Sequence, residues 1–189
     1  MPPRTVTSLL LAAAFLAGCA TAAPPGADAA GQIVSGPGQR AFSTRTAGST
    51  DATTLGPFGW RGLNLNMSEP RAITTGMLGG RTGSPTPCQR WTAARAAIVS
   101  DVFISRRFGV AAIEVAQGSP VHTPEGMTIG WTLAQVTQTY PGISTALADA
   151  NLRFVPAPGN DRARYRVGFD AGGRVWALTL ELTTQDCYP

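Results

Sequence analysis

The sequence predicts an α+β fold, built as two tandem helix-plus-three-strand repeats with antiparallel sheet, after a signal peptide and a disordered tether. Three observations predict it. First, Gly62-Leu63-Asn64-Leu65-Asn66-Met67-Ser68 and Gly126-Met127-Thr128-Ile129-Gly130-Trp131-Thr132 share one pattern: Gly, apolar, x, apolar, x, large apolar, hydroxyl, each followed by a helix-like run. Second, the same register sets Cys88-Gln89-Arg90-Trp91 on Leu152-Arg153-Phe154-Val155 and, after one inserted residue, Val110–Ile113 on Val175–Leu178, so it holds over about fifty positions. Third, the C-terminal segment alternates: Trp176, Leu178, Leu180 and Leu182 on one side, Ala177, Thr179 and Glu181 on the other, the period of a half-buried strand.

The first element is residues 1–18. Arg4 precedes an apolar run, Val6–Ala17, which has the length of a signal-peptide core and is too short to span a bilayer. It ends in Leu16-Ala17-Gly18-Cys19, which resembles the bacterial lipobox. That resemblance implies thioether attachment of diacylglycerol to the Cys19 sulfur and cleavage after Gly18. An ordinary secretory signal cleaved after Ala20-Thr21-Ala22 is the alternative. Residues 19–55, rich in Ala, Pro, Gly, Ser and Thr, bury too little surface to offset their ordering entropy and read as a flexible tether. A coil of that length reaches roughly 30–35 Å. Only Gln32-Ile33-Val34 suggests a weak sheet-edge pairing.

Residues 56–189 are expected to form the duplicated domain, with repeats over about 56–120 and 121–189. Ser68 and Thr132 are placed to cap helices, and Glu69 and Pro70 suit a first turn. The first helix is predicted to end near Gly76–Gly79, the second at Tyr140-Pro141-Gly142, with a further short helix over Ile143–Ala150. Gly79–Ser84 reads as an exposed loop. Val102–Ser105 and Val110–Ala116 flank one hairpin turn, and Arg164–Phe169 and Arg174–Leu182 flank another at Asp170-Ala171-Gly172-Gly173.

Composition excludes several functions. All 15 basic residues are Arg, the formal charge is +4, and the arginines are scattered, so no nucleic-acid stripe is present. With Cys19 lipidated, Cys88 and Cys187 remain, and an even pair outside the cytoplasm predicts a disulfide; two separate buried thiols are the alternative. One His, no CxxC and dispersed carboxylates predict no metal site and no cofactor. His122 lies in a turn-like lead and reads as solvated or capping, not as a general base, so no catalytic residue is assigned. Trp131 and Trp176 occupy positions of core type. Trp60 and Trp91, with Arg164 and Arg166 on the last hairpin, are the predicted binding face.

Gly130-Trp131-Thr132-Leu133-Ala134-Gln135-Val136, and less closely Asn66-Met67-Ser68-Glu69-Pro70-Arg71-Ala72, resemble the repeat of the β-lactamase inhibitory proteins and the SmpA/OmlA (BamE-like) envelope lipoprotein domain. The whole chain looks like secreted lipoproteins of actinomycetes that have no assigned function, in keeping with its Arg-only basic set. The resemblance implies a fold more than an activity; the lipobox, the tether, the duplicated binding-type fold and the missing catalytic cluster together predict a lipid-anchored, non-catalytic binding module on the outer face of the cell membrane, with a protein or wall-polymer partner. The alternatives are an inhibitor-like module that blocks a secreted enzyme through its concave sheet face, and a cell-wall hydrolase.

Overall fold

The structure, a computed structural model, describes residues 51–83, 87–145 and 149–187. The signal peptide, the lipobox Leu16–Cys19 and the tether up to residue 50 lie outside the described residues. Packed structure begins ahead of the boundary expected at residue 56. Leu55 is fully buried, its N–H donates to the His122 carbonyl (2.9 Å), and its own carbonyl accepts from the Tyr165 hydroxyl (3.1 Å).

The elements are β1 (Gly59–Trp60), β2 (Leu63–Asn64), α1 (Glu69–Thr74), β3 (Leu78–Thr82), β4 (Cys88–Ala93), β5 (Val99–Ser105), β6 (Gly109–Val115), α2 (Leu133–Thr139), β7 (Ser144–Thr145), β8 (Leu152–Ala157), β9 (Asn160–Phe169) and β10 (Val175–Leu182). Strands β1 and β2 form a small ribbon. The other eight form one antiparallel sheet in the order β3-β4-β5-β6-β10-β9-β8-β7. The fold is therefore mostly β, which corrects the expected α+β class and its helix-plus-three-strand repeats.

Both helices are short for local reasons. In α1, six residues long, the hydroxyls of Thr74 and Thr75 donate to the carbonyls of Arg71 (2.7 Å) and Ala72 (2.6 Å), and the chain then turns at Gly76 with φ +70°. Such local bonds compete with the helical ladder. Ser68 occupies the N-cap position but makes no capping bond. Thr132 does cap α2, accepting from the Gln135 N–H while Gln135 returns a bond to the Thr132 backbone. The reciprocal box holds a seven-residue helix that Tyr140-Pro141 ends.

The sheet gains two strands that the sequence reading missed. Gly79–Thr82, read as part of a loop, belongs to β3, and Ser144–Thr145, read as helix, is β7. Both are edge strands with little apolar content, so neither carries the alternation that marks a buried strand.

One side-chain row, Trp91–Val102–Ile113–Leu180–Tyr165–Val155, crosses six strands on the core face. Leu55, Trp60, Leu63, Ala72, Met127, Val136 and Tyr140 join the same cluster, so β1, β2, α1 and α2 all contribute to that side. The hairpin β5–β6 is tied to the segment before α1 by two backbone bonds, Asn66 N–H to Val110 C=O and Val110 N–H to Met67 C=O, each 2.8 Å. Gly109 makes this approach possible. Its φ is +69°, and a β-carbon there would collide with the Met67 carbonyl.

Candidate functional site

The other face of the sheet carries the polar chemistry. Two neighbouring rows run across it: Thr92–Asp101–Glu114–Thr179–Arg166–Phe154–Ser144, and Arg90–Phe103–Ala112–Glu181–Arg164–Pro156. No helix covers this face among the described residues, since Ala72 of α1 and Val136 of α2 are buried in the core cluster.

Two ion pairs lie on the face. The Arg90 guanidinium donates twice to Asp101, Nε to Oδ1 at 2.8 Å and Nη2 to Oδ2 at 2.6 Å, and lies 5.9 Å over the Phe103 ring. Arg164 Nε donates to Glu181 Oε1 at 2.7 Å, and its guanidinium stacks 3.6 Å from the Phe154 ring centroid. A planar guanidinium can bond a carboxylate in its plane and an aromatic ring across its face, so each pair is held in one geometry. Glu181 is fully buried, and its Oε2 has no hydrogen-bond partner among the described residues.

Two carboxyls on this face titrate above the ordinary carboxylate range. Burial raises Glu181, against the opposing hydrogen bond and charge of Arg164. Burial also raises Glu114, and the neighbouring Asp101 charge adds to it. The folded chain thus holds protons that the unfolded chain has released, so the contribution of these two groups to stability is greatest below the unfolded carboxylate value and falls as pH rises through the raised one. Glu114→Gln is expected to stabilise the domain at pH 7 by a few tenths to about 1 kcal/mol, after discounting for partial exposure. The gain should vanish near pH 4, which urea unfolding at the two pH values would test; a variant no more stable than the parent at pH 7 counts against it.

Trp176 completes the face. The register of β10 against β9 slips between Val175 and Ala177, so Trp176 is the extra residue of a β-bulge. The bulge takes Trp176 out of line with Leu178, Leu180 and Leu182 and lays its indole over Gly168, where a β-carbon would come within 3.1 Å of Nε1. Trp176 is 53% exposed, against the expectation that it fills the core.

The predicted face of Trp60, Trp91, Arg164 and Arg166 is not one surface. Trp60 is fully buried in the core, and its indole N–H donates to the Ala52 carbonyl (2.9 Å). Trp91 stands half-buried on the core side, with Arg81 stacked 5.0 Å from its ring. Arg164 and the half-buried Arg166 do share the polar face. Trp131, also expected in the core, packs half-buried against it.

The remaining chemistry is structural in geometry. His122 Nδ1 lies 2.9 Å from the Thr123 carbonyl, and its backbone pairs with Thr53 and Leu55. The Tyr140 hydroxyl sits between Thr123 Oγ1 (2.5 Å) and Glu125 Oε2 (2.7 Å), and burial raises its pKa well above the usual phenol value. Cys88 and Cys187 form the expected disulfide, with Cα atoms 5.3 Å apart. Among the described residues the one grouping of metal-ligand type is Cys88, Asp186 and Cys187, and its two sulfurs are bonded to each other. No family model matches the chain, and no curated protein or solved structure matches it.

Proposed function

We propose that this chain is a non-catalytic, extracytoplasmic binding module, held at the outer face of the cell membrane by lipid on Cys19, which grips a protein partner with the polar face of its sheet. The observation that carries the reading is Trp176, a large exposed aromatic on Gly168, sharing one face with Phe103, Phe154 and the guanidiniums of Arg90, Arg164 and Arg166. Trp and Arg are the residue types that most often dominate binding energy at protein interfaces. The width is adequate. Eight strands about 4.8 Å apart span roughly 34 Å, enough for the ~800 Å² per partner of a specific complex. The address is supported by Leu16-Ala17-Gly18-Cys19 and by the disulfide, which suits an oxidising compartment.

The same aromatics favour a narrower second reading, in which the partner is a secreted enzyme that the module blocks. Both readings predict one result. Light cross-linking of the full chain in detergent-solubilised membranes should capture a protein partner, and Trp176→Ala should cut that capture about tenfold or more, since a hot-spot truncation costs 2 kcal/mol or more. Its unfolding midpoint should stay close to the parent's, because an exposed side chain contributes little to stability. Equal capture by both proteins would sink the proposal. A Cys19 peptide of unmodified mass would overturn the address.

A further inference from the structure

On the α1 side of the sheet lies a cavity of about 570 Å³. Its walls are the first turn of α1, through Ser68 and Glu69, the strand residue Arg81, and the β5–β6 hairpin tip, through Arg106, Arg107 and Phe108. Three arginines and one glutamate thus line the cavity. That carboxylate, Glu69, is engaged by Arg81 at 2.7 Å, and stacking on Trp91 further orients the Arg81 guanidinium. Arg106 and Arg107 have no carboxylate partner among the described residues. The Ser68 hydroxyl, not used in capping, is also available.

The walls are fixed before any ligand arrives. Ser105 Oγ accepts from the backbone N–H groups of Arg107 (3.0 Å) and Phe108 (3.1 Å), which shapes the hairpin tip. The bonds between Val110 and residues Asn66 and Met67 hold that tip against the start of α1. Arg107 lies 5.0 Å over the Phe108 ring. With its amide set to satisfy both neighbours, Asn66 donates to the Phe108 carbonyl (2.9 Å) and accepts from Arg162 Nη2 (3.0 Å), bringing a fourth guanidinium close to the site.

We infer that this cavity binds a phosphate-bearing anion. A carboxylate is satisfied by one bidentate arginine, whereas a phosphate offers oxygens in several directions and suits guanidiniums that arrive from separate walls together with a hydroxyl. The volume lies within the range of small-molecule sites and exceeds a bare phosphate, so the phosphate comes attached to a larger body or to a second phosphate. The shared chemistry is the phosphate oxyanion, whether carried by a soluble molecule or by a lipid headgroup. The site is on the opposite side of the sheet from Trp176, so it stands or falls separately from the proposed partner face.

The test uses the full chain and its Arg106→Ala/Arg107→Ala double variant; both side chains are exposed at a hairpin tip, so the fold should persist. Thermal unfolding would be followed with inorganic pyrophosphate and with citrate, and co-flotation with phosphatidylglycerol vesicles against phosphatidylcholine vesicles. A saturable, pyrophosphate-dependent rise in midpoint that the double variant weakens about tenfold or more supports the inference with a soluble source. A preference for phosphatidylglycerol that the double variant loses supports it with a headgroup source, and any lipid anchor acts equally on both vesicle types. Trp176→Ala should bind pyrophosphate as the parent does. Absence of both responses, an equal response in the double variant, or a response to citrate alone overturns the inference.

Discussion

Replacing Cys88 and Cys187 together by serine is expected to lower domain stability by about 2–5 kcal/mol. The bond closes a loop between residues 99 positions apart, joining the first residue of β4 to the tail that follows β10. In the sheet those strands are not neighbours, because β5 and β6 stand between them. The cross-link thus restricts the unfolded chain far more than it adds native contacts, and its loss appears mainly as a gain in unfolded-state entropy. Two readouts follow. The urea midpoint of the parent should drop in dithiothreitol to that of the double-serine variant, which dithiothreitol should leave unchanged. The slope of free energy against urea should rise in the variant, since a chain without the cross-link exposes more surface on unfolding. A parent whose midpoint is unmoved by reductant, after mass spectrometry has verified free thiols, refutes the stabilising role.

Trp60→Ala should cost a comparable amount, about 3–5 kcal/mol. Trp60 is fully buried beside Leu55 and Leu63, and its indole N–H holds the carbonyl of Ala52. Truncation removes a large apolar area and leaves a cavity bounded by a two-strand ribbon that is itself anchored at Gly59, where any β-carbon would strike the Leu63 carbonyl. Trp176→Ala, the same chemical change on the opposite face, should cost no more than about 0.5 kcal/mol. Paired urea titrations would compare the two variants, and equal losses would contradict the placement of these side chains.

That contrast marks the limit of what was legible from local pattern. Strict alternation put Trp176 with the core leucines, and nothing in Val175-Trp176-Ala177 announces the bulge that turns it outward. A bulge is set by how a strand registers with its partner, and that partner is selected by the whole sheet. Trp60 was unreadable for the converse reason. Its neighbours Gly59, Arg61 and Gly62 look like an exposed turn, but the chain ahead folds back so that Leu55 and Trp60 enter the same core. Alternation with Tyr165, Val167 and Phe169 places Arg164 and Arg166 on one strand face, but it does not show what they pair with. The partner Glu181 lies directly opposite Arg164 in β10, and the two are joined only once β9 and β10 pair in that register. Strands β3 and β7 escaped notice because an edge strand need not alternate, and the cavity beside α1 assembles residues from four separated segments.

By itself the sequence determined the features whose causes are local. The Thr132–Gln135 box starts α2, Tyr140-Pro141 stops it, Asp170-Ala171-Gly172-Gly173 turns the last hairpin, and an even pair of cysteines left beyond Cys19 predicts the disulfide. Each depends on hydrogen bonds or dihedral preferences within a few residues, or on counting. Only the tertiary structure decided the mostly β class, the face on which each tryptophan lies, and the pairing of each guanidinium. Those depend on strand register, and register is chosen by the summed burial of the whole eight-stranded sheet, which no short window of the chain contains.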